Sequence, residues 1–550
     1  MIYYVWKGRS DVITSHPYHR VSTKRVVLRF LLTLTILGNF ALTGQIGSAQ
    51  APLPSQQENT SSHQSQPASD AVKDIIDASR DVTPELHAHT LLLLVESNQI
   101  LVKPLKLKLA REAFDAAASA SVPVRMIPGI PGVNADSDVG RSMYGYSLNL
   151  DRLSLQSRAL ADVAALDPVA ARNLLADFYL PEMPPVGCVQ AFVYDPHSYY
   201  DVLKALAHDK TANLKDSKDT TEEILYPAVS NLQTHTQAGL AMALLADSGL
   251  SKDQLQSLAS TLIGQLNKLR GDERGFTAEI SGRRGITGSD KLYQALEKSE
   301  PGSGSALPQV FRQYLIDNYK AGGCGTLLPT PDKSGQKKLP DAILKFNDEF
   351  RDGLGRAKLD PITIQDIDVS VPVVKAEVKN YWSDPESKAY LTAVQRLKFD
   401  EKDEVRTLSD RESSTWRSQV ISFLGKIDDW EADPFQSTEV FNEKLELYTG
   451  VINLTTQDDL KWLAIERSLS MLENSSIEAE NPAPWLFGVM NLQLRVSSLV
   501  DGPNYKKLPR DQDFATRLIN SKNRSLHLIG MLESLHIDPF NSKETGITIP

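Results

Sequence analysis

Apolar residues recur at three- and four-residue spacing through most of this chain, and several of the segments patterned in this way open on a capped proline. "LSLQSRALADVAALDPVAARNLLADF" (153–178) shows both devices. Asp167 suits an N-cap because its carboxylate can accept from the first free amides of a helix. Pro168 fits the position after it, where a missing N–H is harmless and φ is already helical. Leu155, Ala159, Val163 and Leu166 share one face of the first helix, and Ala171, Leu174, Leu175 and Phe178 share one face of the second. A pair joined this tightly runs antiparallel and must bury its stripe against further helices.

The same grammar extends along the chain. Thr83-Pro84-Glu85 opens a helix, "KLAREAFDAAASAS" (108–121) is an alanine-rich one, and Ser251 with Gln254 has capping-box spacing. Asp384-Pro385 and Asn481-Pro482 repeat the cap and proline. Ser409 and Glu412 are spaced as a capping box ahead of Trp416, Val420, Phe423, Ile427 and Trp430, and Trp462, Ile465, Leu469 and Leu472 continue the pattern. One segment departs from it. "ITIQDIDVSVPVV" (362–374) alternates like a strand, which Pro372 confines to an edge or an extended connector. The expected fold is therefore all-α, an irregular helical solenoid or multi-helix bundle in two subdomains, without a consensus repeat.

The expected organisation is a signal peptide over 1–49, a disordered linker over 50–70 and a helical domain over 71–325. A hinge over 326–338, a second helical domain over 339–538 and a tail over 539–550 complete it. All five tryptophans beyond the leader (Trp382, Trp416, Trp430, Trp462, Trp485) fall in the second domain, at spacings that suit a core. "KLAREAFDAAASA" followed by the 153–178 segment resembles a group of secreted, all-helical bacterial proteins whose activity is not known. That resemblance implies a helical fold and export, and it supplies no site.

The leader is read from Lys24, Arg25 and Arg29 ahead of the apolar run "FLLTLTILGNFALTG" (30–44), with Gly47 and Ala49 at the small-residue positions of a cleavage site before Gln50. Cutting after Ala51 also fits the small-residue rule but would leave Pro52 next to the cut. The run is short for a membrane span, so no stable span is expected after cleavage. Residues 1–20 are mixed and aromatic, which points to a true start near Val21. The leader carries six cations against Asp11, a balance of +5, so the whole-chain charge of −10 leaves −15 on the remainder. Such a body repels phosphate backbones, so nucleic-acid partners are not expected and a protein or polymer of the envelope or exterior is. Cys188 and Cys324 are the only cysteines, and in an oxidising compartment they most simply pair.

Few residues suggest chemistry. His87 and His89 stand two apart on a helix and point in opposed directions, so they do not share an ion. Asn134, Asp136 and Asp138 begin a calcium-loop pattern, but its glycine comes late, at Gly140, and Gly145 replaces the closing Glu, which suits an ordinary acidic turn. "SGRRGITGSDK" (281–291) lacks the Gly-Lys-Ser/Thr ending of a phosphate loop and reads as a flexible loop leading into a helix at Ser289. In "VYDPHSYYDVL" (193–203), Asp195, His197, Tyr199 and Tyr200 crowd a helix start close to Cys188. They are the candidate ligand-binding residues, set against a plain capped helix whose tyrosines pack on the disulfide loop. No nucleophile motif is present, and no cofactor is expected. The expectation is an exported helical scaffold or binding protein of the periplasm or exterior. The alternative is a glycan hydrolase on a helical toroid, working through two carboxylates.

Overall fold

The computed structural model describes residues 69–540, apart from 135–136, 209–219, 270, 323, 326–328, 332, 336, 352–357, 369–373, 401, 403, 432–436, 481 and 501–509. The expected signal peptide, most of the linker and all but the first two residues of the tail lie outside the described residues.

The first helices are α1 (Asp70–Ser79), α2 (Pro84–Glu96), α3 (Lys103–Ala117), α4 (Asp138–Ser147), α5 (Arg152–Leu166) and α6 (Pro168–Leu175). There follow α7 (His197–His208), α8 (Thr220–Ser230), α9 (Thr236–Asp247), α10 (Lys252–Leu266), α11 (Glu273–Ser281), α12 (Arg284–Ser299) and α13 (Ala306–Lys320). The strands β1 (Met126–Pro128) and β2 (Phe192–Tyr194) form an antiparallel ribbon in register Met126 to Tyr194, and β3 (Thr330–Pro331) pairs with β4 (Lys337–Lys338). Beyond them lie α14 (Asp341–Arg351), the single turn α15 (Ile364–Ile367), α16 (Pro385–Arg396), the turn α17 (Leu408–Arg411) and α18 (Ser414–Asp428). The chain closes with α19 (Ser437–Leu454), α20 (Asp458–Asn474), the turn α21 (Ile477–Glu480), α22 (Pro482–Val500), α23 (Arg510–Ile519) and α24 (Arg524–Ser534). The fold is all-α, as the spacing predicts.

Two helices are apolar nearly all round and therefore sit inside. In α2, Leu86, Ala88 and every residue from His89 to Val95 are buried, among α1, α3 and α5. In α9, "TQAGLAMALLAD", the buried side chains meet α7, α11 and α12. The α9–α12 crossing brings backbone against backbone. A Cβ built at Gly288 would lie 2.8 Å from the Gly239 carbonyl oxygen, and one at Gly239 would lie 2.8 Å from the Gly285 nitrogen. This corrects the reading of 281–291 as a loop. Its glycines are helical from Arg284 onward because two helices touch there, so the absent side chain serves close approach instead of flexibility.

Caps are met at Asp167, which accepts from the Ala170 amide at 3.0 Å, at Asp384, and at Gln254, which reaches back to the Ser251 amide at 3.2 Å. The capping box at Ser409 and Glu412 is corrected. Thr407 and Asp410 cap α17, and Ser413 caps α18 by accepting from the Trp416 amide at 3.2 Å. In a run as rich in hydroxyls and acids as "TLSDRESST", several boxes overlap, and the burial of Trp416 selects among them. The strand expected over 362–374 is corrected over its described residues 362–368, while 369–373 lie outside the described residues. Thr363 and Asp366 cap the turn α15, Ile362 and Ile367 are both buried, and the Asn347 side chain pairs with both backbone groups of Ile362 at 2.8 Å.

Buried apolar residues before and after 326–338 belong to one continuous core, and the described residues fall within one compact unit. Trp416 and Trp485 are fully buried, Trp430 nearly so, and Trp382 and Trp462 pack against the same core. The last helix, α24, returns to α1. Cys188 and Cys324 form a disulfide with Cα atoms 5.0 Å apart. Among the described residues no helix is long and apolar enough to cross a membrane.

Candidate functional site

The ribbon β1–β2 delivers Asp195 to the mouth of α7, and its amide donates to the Arg125 carbonyl at 2.9 Å. The carboxylate is 4 % exposed. Arg284 Nη1 lies 3.2 Å from Oδ1, while His197 Nδ1 and Arg125 Nε lie 3.2 and 3.7 Å from Oδ2. Burial alone would raise its pKa, but His197, Arg284 and Arg125 outweigh burial and hold it at about 2. The same contact raises His197 against the pull of burial. Nearby, Glu279 accepts from the Gly239 amide at 2.9 Å, and burial pushes it up to about 8 despite Arg284. The structure thus brings Asp195 and His197 together and adds Arg125, Glu279 and Arg284.

The two tyrosines go elsewhere. Tyr200 donates to the Ala228 carbonyl at 3.2 Å and accepts from Gln237 at 3.1 Å. Tyr199, pushed up to about 12 by burial, packs on Phe178 and on the edge of Tyr200. The disulfide loop is held by other groups. Asp272 accepts from the Val186 amide at 3.3 Å, and the buried Arg274 donates to the Cys188 carbonyl. Burial pushes Asp272 up to about 6. The two cationic arginines, the ionised aspartate and the fixed disulfide make this region a polar brace between the ribbon, α7, α11 and α12.

The remaining sequence candidates resolve simply. Ser137 caps α4 by accepting from the Gly140 amide at 3.1 Å, and donates to the Asn134 carbonyl at 2.6 Å. Asp138 accepts from the Val139 amide at 2.8 Å, and Asp136 lies outside the described residues. Among the described residues no group of three His, Cys, Asp or Glu side chains is placed to hold a metal. His89 is buried, with Nε2 2.8 Å from the Pro539 carbonyl and Nδ1 3.0 Å from Arg158, an arrangement that fixes the neutral ring. Burial and Arg158 lower it to about 3. His87 bonds separately to Ser79 Oγ at 2.8 Å.

Sequence reasoning misses two cavities that share Trp430 and Val440. The first, about 570 Å³, is lined by Glu377, Asp384, Glu386, Glu431, Glu439 and Glu443, with Lys379 the one cation among its described lining residues. Glu443 is 3 % exposed and accepts from Ser387 Oγ at 2.9 Å. Burial, reinforced by Glu439 and Asp384, pushes it up to about 7 against the pull of Ser387 and Arg141. The second, about 480 Å³, has apolar walls from Trp430, Val440, Phe441, Met471 and Ile477 and polar groups from Asp428, Lys444, Tyr448 and Arg467. Trp430 itself stacks on Tyr390 with ring centroids 4.2 Å apart. These acids come from α16, α19 and the connectors around them, scattered over 377–443, with no fixed spacing that a motif would register.

No family model, curated protein or solved structure matches the chain.

Proposed function

We propose that the chain is an exported α-helical binding protein of the cell envelope or exterior, with the two cavities around Trp430 as its ligand seat. The observation that carries this reading is the pairing of an acid-lined space of about 570 Å³ with an amphipathic one of about 480 Å³ along a shared aromatic wall. Both volumes suit a ligand or an inserted side chain. Among the described lining residues, six acids against one lysine favour a partner that presents cationic groups there. A disulfide is compatible with an oxidising destination.

The test is affinity capture from envelope and culture-fluid fractions, and from a panel of envelope polymers, with the full chain and with a Glu386→Lys/Glu439→Lys variant. A partner retained by the parent and lost by the charge-reversed variant supports the reading. Failure of the parent against both fractions and panel, or equal capture by both proteins, counts against it.

A second reading, hydrolysis of a glycan, is favoured by one observation: a carboxyl at about 7 among other acids beside Trp430. A group ionising near neutrality can act as a general acid, and a retaining or inverting enzyme needs a second carboxylate about 5 or about 6.5–9.5 Å away. Turnover of soluble glycans by the parent, lost by at least a hundredfold in Glu443→Gln, would establish it. No turnover across the panel removes it.

A further inference from the structure

The amphipathic cavity is built unevenly. Its Asp428 carboxylate is already occupied, with Oδ1 accepting from Tyr448 at 2.5 Å and Oδ2 paired with Arg467. Lys444 has no such partner: its ammonium donates to the Asp428 carbonyl at 3.2 Å, and no described carboxylate reaches it at ion-pair distance. Burial accordingly pulls Lys444 below its ordinary value, although Asp429 and Glu431 stand near enough to oppose this. With Asp428 cancelling one cation, the described lining residues carry one net positive charge, and spare donors remain on Lys444 and Arg467. Phe441, Met471 and Ile477 line the same cavity.

We infer that this cavity binds a monocarboxylate with an apolar body, the carboxylate received by Lys444 and Arg467 and the body lying on Trp430, Phe441 and Met471. The inference rests on the reading of the Trp430 cavities as the ligand seat and names the ligand class for one of them. An anion there supplies the charged acceptor that the Asp428 carbonyl is not, and the apolar body gains from leaving water. The acid-lined space on the other side of the shared wall is unsuited to the same head group.

Calorimetric titration of the full chain decides it, with decanoate and 3-phenylpropanoate as acids, decan-1-ol as the neutral match and decylammonium as the cationic one. The expected result is that at least one acid binds at least tenfold more tightly than decan-1-ol. Which acid does so tells an alkyl from an aryl body. Lys444→Met should remove that preference while Lys444→Arg keeps most of it, and the parent's acid-over-alcohol preference stands as evidence even where a variant fails to fold. Equal affinity for acid and alcohol, or an unchanged preference in a folded Lys444→Met, overturns the inference. Preference for decylammonium overturns it while leaving the ligand seat intact, whereas silence from all four compounds, together with failed affinity capture, removes both.

Discussion

At Glu279 the chain buries an acid where two helices meet, and the consequence is a pH dependence of unusual sign. Its folded pKa of about 8 lies above the ordinary 4.5. Below the ordinary value both folded and unfolded chains hold the proton. Between 4.5 and about 8 the unfolded chain has lost it and the folded chain has not, so this group's contribution to stability falls as pH rises through that window and levels off above it. Glu279→Gln keeps the acceptor for Gly239 and removes the titration. Thermal unfolding of parent and variant should agree at pH 5 and diverge by pH 9 in favour of the variant; a constant difference across the range would exclude Glu279 as the source. Asp195 behaves in the ordinary way: held at about 2, it stabilises above 3.8 and loses that contribution as pH falls through 2. The backbone contact at Gly288 sets a second expectation. Gly288→Ala places a methyl against the Gly239 carbonyl and should cost about 1–3 kcal/mol by chemical denaturation, the range for overpacked sites.

Several helix starts in this chain are fixed by single side chains. Ser413 accepts the Trp416 amide, whereas Ser409 makes an exposed bond to the Thr407 hydroxyl. Ser413→Ala should therefore cost about 1 kcal/mol, and Ser409→Ala should stay within about 0.5 kcal/mol, in the same urea titration. Equal losses would mean that the two caps are not distinguished. Proline-marked starts were readable because Asp-Pro limits the local options before any tertiary contact forms. The start of α12 was not, since a Gly-rich run has no local preference and its helical state depends on the partner helix α9. Likewise "ITIQDIDV" satisfies a strand's alternation, yet Thr363 and Asp366 close a turn that buries Ile362 and Ile367 together.

For the molecule as a whole, the disulfide joins positions 136 residues apart. On the chain-entropy model, closing such a loop stabilises by about 4–5 kcal/mol. Reduction, or Cys188→Ser with Cys324→Ser, should lower the urea midpoint accordingly; an unchanged midpoint would show that Asp272 and Arg274 hold the loop without it. Candidate site residues fared unevenly at this scale. Asp195 and His197 were readable as a pair because they stand two apart at a helix mouth, but Arg125, Glu279 and Arg284 reach them only through the ribbon and the α9–α12 crossing.

What the sequence alone determined is the helical class, many of the helix starts and the cysteine pairing, because spacing, capping and a lone pair of thiols act locally or by count. Tertiary structure decided which acids share a space, which glycines touch and which cavity lysine no described carboxylate reaches. Glu377, Glu386 and Glu443 acquire a common environment, and Lys444 a half-buried place in an amphipathic one, only when α16, α18, α19 and α20 pack around Trp430. Burial and proximity, the two causes that shift a pKa or shape a ligand seat, are properties of that packing and have no period in the chain.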